Sequence, residues 1–132
     1  MTSLNFGHRN VLQSTMRELA AQIEELQWLI QRPHEPYRII PVIHVPIGLE
    51  REHILEVLTK LSVSVRDMCA ACNLELDAID ADHKLRSIAE YLKATIKNVK
   101  PEHLRGYGLI QQEDQRIINT HIDKFLASLK EL

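Results

Sequence analysis

The sequence predicts an all-α fold, a four-helix bundle in which a long, proline-containing extended connection joins helices 1 and 2. Three observations lead there. Apolar residues recur at alternating spacings of three and four along four stretches, the period of a helix face packed on other helices. Aromatic residues make up 5% of the chain and glycine and proline together number nine, too little β-forming and turn material for a sandwich or barrel. The prolines also fall between the periodic stretches, where helices stop, and not inside them.

The first helix is expected over about Asn10 to Gln31, with Leu12, Met16, Leu19, Ile23, Leu26 and Ile30 as its seam. Arg32-Pro33 ends it, because the residue before a proline disfavours the helical region. Four prolines between Pro33 and Gly48 then forbid an ordinary helix, yet Tyr37, Ile39, Ile40, Val42, Ile43, Val45 and Ile47 are too apolar for a solvated linker. This connection is expected to lie along the bundle and cover something. Trp28 sits opposite the seam of helix 1, so either the proline segment or a partner chain should pack on its indole.

The second helix is expected from Leu49 to about Asn73, with Ile54, Leu58, Leu61, Val65, Met68 and Cys72 in its seam and Asn73 as a left-handed stop. The third, about Asp80 to Val99, carries Leu85, Ile88, Leu92, Ile96 and Val99, with Asp80 and Asp82 as capping candidates. Pro101 to Gly108 reads as a short turn. The last helix, about Leu109 to Lys130, repeats the pattern with Ile118, Ile122, Phe125, Leu129 and Leu132. The long first crossover is compatible with parallel neighbours and the shorter later ones favour antiparallel packing.

At 132 residues, 45% hydrophobic and 26% charged, residues 1–132 are expected to form a single helical-bundle domain. The longest apolar run, Ile39 to Leu49, is broken by Pro41 and Pro46, and the first ten residues lack a signal-peptide core. Two cysteines make no disulfide framework. A cytoplasmic protein with no membrane segment is the expectation.

Net charge is -2, without the basic field of a sequence-independent nucleic-acid binder, so nucleic acid is possible but not favoured as a partner. Arg86, Lys93, Lys97 and Lys100 share one side of the third helix with Glu90; without interleaved aromatics, the row reads as a solvated face. Cys69-Ala-Ala-Cys72 has redox or zinc spacing but lies at a helix C-terminus, where the dipole disfavours thiolates, so packing cysteines are expected. Glu50-x-x-His53 and Asp80-x-x-His83 have the spacing of di-iron bundle ligands, but Glu18 and Glu25 lie on the polar side of helix 1, and Glu113 and Asp114 at the start of the last helix. No metal and no cofactor are therefore expected.

Arg116-Ile-Ile-Asn-Thr-His121 resembles the Arg-x4-His motif of HEPN-type ribonucleases and toxin domains, over these six residues alone. The resemblance implies phosphate stabilisation by Arg116 and RNA cleavage by His121, commonly in a dimer cleft; Ile117 stands where those families carry a polar residue. Five helical steps set the two side chains roughly 140° apart, so such a site calls for both partners of a dimer. Glycine-rich phosphate loops, nucleophile elbows and zinc-protease motifs are absent.

The sequence thus favours a non-catalytic protein-protein interaction module, a homodimer or a small subunit, adaptor or regulator of a larger assembly. Its contact residues are expected to be Trp28, Tyr37, Ile39, Ile40, Val42 and Ile43. The alternative is a HEPN-like ribonuclease using Arg116 and His121.

Overall fold

The computed structural model describes residues 3–132. The described residues form five α-helices and no strand: α1 (Phe6–Gln31), α2 (Gly48–Ala71), α3 (Ala81–Lys97), α4 (Pro101–Leu104) and α5 (Gln112–Leu129), with a 3-10 turn (Arg105–Tyr107) after α4. The all-α class is as expected. The segment read as a turn instead begins with a helix, because Pro101 at the first helical position needs no N–H partner and brings its φ preset.

The chain gathers into two compact units, Met1–Asp77 and Ala78–Leu132. Each holds one pair of long helices, α1 with α2 and α3 with α5, so neither unit contains a four-helix arrangement of its own.

In the first unit, α1 starts four residues before its expected position. Asn5 caps it: the Asn5 side-chain oxygen accepts the His8 N–H at 2.8 Å, and the Asn5 N–H donates back to His8 Nδ1 at 3.4 Å. The pair α1/α2 is antiparallel, since Arg51 at the start of α2 donates to the Ile30 carbonyl at the end of α1 (3.3 Å), and Arg9 at the start of α1 reaches the Cys72 carbonyl at the end of α2 (3.5 Å). That settles the direction the long crossover had left open.

Burial along the pair centres on Arg9, Gln13, Met16, Ala20, Ile23, Gln27 and Ile30 of α1 and on Arg51, Leu55, Leu58, Ser62, Val65, Cys69 and Cys72, at the end of α2. Both rows keep the heptad spacing, but every second position is displaced by one from the sequence reading. Ala20 takes the place of Leu19, Gln27 of Leu26, Ser62 of Leu61 and Cys69 of Met68. Small Ala20 and Ser62 occupy the contact line, and the displaced leucines lie one helical step, about 100°, from them. Met16, Ile23, Leu58 and Leu74 form the buried core of this unit.

The C-terminal end of α2 is a Schellman stop. Asn73 adopts φ 54°, its N–H donates to the Ala70 carbonyl (3.3 Å) and the Leu74 N–H to that of Cys69 (2.8 Å), which sends Leu74 into the core. The chain then returns along α1, tied through the Asn73, Glu75 and Asp77 carbonyls to the side chains of Arg9, Gln13 and Arg17.

Residues 32–47 contain neither helix nor strand. They are not simply extended, because the Arg38 N–H donates to the Glu35 carbonyl at 3.0 Å and closes a turn with Pro36 at its second position. His44, at φ 54°, and Gly48, at φ 60°, give the left-handed bends that redirect the chain into α2.

In the second unit Asp80 caps α3 by accepting the His83 N–H at 3.1 Å, as its position predicts. Ile122 of α5 and Pro101 are its buried side chains. Along α3 only Ala89 and Ile96 are half-buried, and Leu85, Ile88 and Leu92 keep somewhat under half of their surface exposed.

Candidate contact surface

The connection between α1 and α2 places five large apolar side chains in solvent, Ile47 at its end (77% exposed) and four nearer its middle. Tyr37 and Ile39 are 90% and 95% exposed, Ile40 and Ile43 74% and 75%; Val42, between them, is half-buried. Prolines at 36, 41 and 46 explain why these residues fold neither into a strand nor onto a helix: each removes a backbone donor and fixes φ. The result is a short, stiff, apolar projection between two helix ends.

Trp28 behaves differently. Its indole is 45% exposed and is met by the Arg38 guanidinium, whose Cζ lies 4.7 Å from the ring centroid. Of the two covers expected for Trp28, the proline segment or a partner chain, the proline segment supplies one, and it does so with a cation. Arg38 Nε and Nη2 are buried with no hydrogen-bond partner, so the indole face is their main compensation. No local pattern in the sequence links residue 38 to residue 28; the turn at Pro36 makes the connection.

Arg116 and His121 both lie exposed on α5. The Arg116 guanidinium donates to the Glu113 carboxylate one turn earlier, at 3.1 Å, and His121 has no hydrogen bond or ion pair to another described residue. The helix sets them on different sides, as the spacing requires, and the chain's own geometry does not bring them together.

Cys69 and Cys72 are half-buried free thiols in the α2 seam and at its end. Among the described residues no three His, Cys, Asp or Glu side chains converge as metal ligands. Glu50 and His53 lie at the start of α2, whereas Asp80 is occupied as the α3 cap.

The second unit carries two hollows beside α3 and α5. One, of about 660 Å³, has an apolar floor that includes Ala89 and Leu126 and a rim of Glu90, Lys93, Lys97, Asp123 and Lys130. Lys93 and Lys97 of the basic row thus face acids as well as a third lysine, while Arg86 is taken up by Asp82 at 2.7 Å. The other hollow, of about 260 Å³, is lined by Leu92, Thr95, Ile96, Val99, Phe125 and Leu129 and carries no charge. No helix is long and apolar enough to cross a membrane among the described residues.

No protein-family model, curated protein or solved structure matches this chain.

Proposed function

We propose that this chain is a non-catalytic protein-protein interaction module, a self-associating protein or a small subunit, adaptor or regulator, that presents Trp28 and residues 37–43 to a protein partner. The observation that carries the reading is the exposure of Tyr37, Ile39, Ile40 and Ile43 on a proline-stiffened connection. Leaving apolar area in water forgoes roughly 25 cal/mol per Å², and proline rigidity lowers the entropy lost when a partner covers it. The absence of charge between Ile39 and Ile43 suits an apolar pocket or a sheet edge on the partner. On the same reading, the leucines left outside the α1/α2 seam are four-helix-bundle positions awaiting further helices.

The reading is tested by placing a photoreactive benzoylphenylalanine at Ile40 of the full chain in its native cells. A discrete covalent protein adduct is expected after irradiation, with none from the same group placed at Glu131. If Ile40 yields no adduct, the reading falls.

A further inference from the structure

The α1/α2 hairpin has two unlike faces. Leu12, Leu19 and Leu26 each precede a seam residue of α1 by one position, and Ile54, Leu61 and Met68 do the same on α2. In an antiparallel pair of right-handed helices, one step back from each seam turns to the same side. The ties from Arg51 to Ile30 and from Arg9 to Cys72 fix the register, which sets Leu12 level with Met68, Leu19 with Leu61 and Leu26 with Ile54. The outcome is three apolar rungs, one heptad or about 10 Å apart.

The opposite side is charged and already furnished. It carries Arg17, Glu24, Glu52, Glu56 and Arg66, the Arg38-covered Trp28 at one end and the tied segment 73–77 at the other. The rung side is only partly covered: Leu12 and Ile54 are half-buried, and Leu19, Leu26, Leu61 and Met68 are 43%, 46%, 46% and 38% exposed.

We infer that this face docks a second copy of the chain, rung against rung, to make a four-helix interface of two α1/α2 hairpins. Area and charge carry the choice of occupant. Taking about 190 Å² for a large apolar residue, the exposed parts of the rungs and Val57 come to roughly 450 Å² per copy. At about two-thirds apolar, as in homodimer interfaces, this corresponds to roughly 700 Å² per copy, close to the ~800 Å² each partner contributes to a stable interface. The rungs and Thr15, Gln22, Val57 and Ser64 among them are uncharged, so the middle of the face closes on a second copy without desolvating an ion, with Glu18, Glu25, Glu50, Lys60 and Asp67 at its edges. The face is also self-matching, with an equivalent rung on either side of the central Leu19–Leu61 pair, as a two-fold interface requires.

The inference takes the self-association form of the proposed function and leaves the connection at residues 37–43 free for another protein. Light scattering on the full chain at tens of micromolar tests it. The wild type is expected to be a dimer, Leu61→Glu a monomer with dissociation constant raised at least a hundredfold and helicity retained, and Ile39→Asp still a dimer. If Leu61→Glu loses helicity, Ser64→Arg on the same face decides: a folded monomer supports the interface and a dimer overturns it. A monomeric wild type overturns the dimer while an Ile40 adduct would still uphold the interaction reading. A dimer dissolved by Ile39→Asp and not by Leu61→Glu moves the interface to the connection and also overturns it.

Discussion

Gln13 donates its side-chain amide to the backbone carbonyl of Glu75 at 2.9 Å, the middle of three ties that hold the chain after α2 against α1. Arg9, Gln13 and Arg17 are four residues apart on the helix, about 6.0 Å of rise, and their acceptors Asn73, Glu75 and Asp77 are two apart, about 6.6 Å in an extended chain. The two periods nearly coincide, so one helix row serves three carbonyls in succession.

Gln13→Ala is therefore expected to loosen residues 75–77 without unwinding α1. The lost neutral hydrogen bond is worth about 0.5–1 kcal/mol. Arg17→Ala should cost a similar amount, because it removes the 2.9 Å bond to the Asp77 carbonyl, while the Arg17–Asp77 ion pair, at 3.7 Å and largely in water, adds little. Hydrogen exchange checks both: faster exchange confined to the amides after Leu74 is the expected result, and faster exchange through α1 would contradict it.

Asn73 marks a position where backbone geometry, not contact, sets the outcome. Its φ of 54° costs an ordinary residue about 1 kcal/mol, and glycine nothing. Asn73→Gly should leave stability within a few tenths of a kcal/mol, and Asn73→Val should lower it by more than about 1 kcal/mol and expose Leu74, as read by chemical denaturation. Equal effects from the two substitutions would show that the Schellman stop does not hold this end of α2.

Such end signals were the most legible part of the sequence. Asn73 and Asp80 lie where their side chains predict, because caps and stops depend on two or three adjacent residues. Asn5 escaped notice because its reciprocal partner is His8 and not the usual Glu or Gln. Pro101 was legible as a break, but a proline that ends one helix is equally suited to begin the next. The seam phase was half legible. Periodicity located Met16, Ile23, Leu58 and Val65, whereas hydrophobicity drew Leu19 and Leu61 inward where the contact line instead takes the smaller Ala20 and Ser62. At the contact surface the prolines marked the break in helix, but Tyr37, Ile39, Ile40 and Ile43, expected to lie along the bundle as cover, stand in solvent instead because each proline removes a donor and fixes φ, and Arg38 was not readable, since a cation seven residues from the end of α1 meets Trp28 only through a turn.

Arg116 and His121 separate the two functional classes. A non-catalytic chain predicts that Arg116→Ala with His121→Ala leaves helicity and subunit count unchanged, with a stability loss under about 0.5 kcal/mol from the exposed Arg116–Glu113 pair. Purified wild type should leave a single-stranded RNA substrate intact over the same course as the double variant. RNA cleavage by the wild type, abolished in the double variant, would replace the interaction reading with the ribonuclease one.

Arg38 and Trp28 supply the last prediction, through two opposed energies. Stacking of the cation on the indole contributes about 1–2 kcal/mol in a partly desolvated site, and two guanidinium nitrogens without acceptors cost a comparable amount. Arg38→Met keeps most of the stem over the ring and removes the unpaired donors, so its stability should stay within about 1 kcal/mol of wild type. Arg38→Ala removes the cover altogether and should shift Trp28 emission to longer wavelength with about twofold faster acrylamide quenching. If Arg38→Met instead costs more than about 2 kcal/mol, the positive charge itself holds the connection in place, and the turn at Pro36 is secondary to the cation that it delivers.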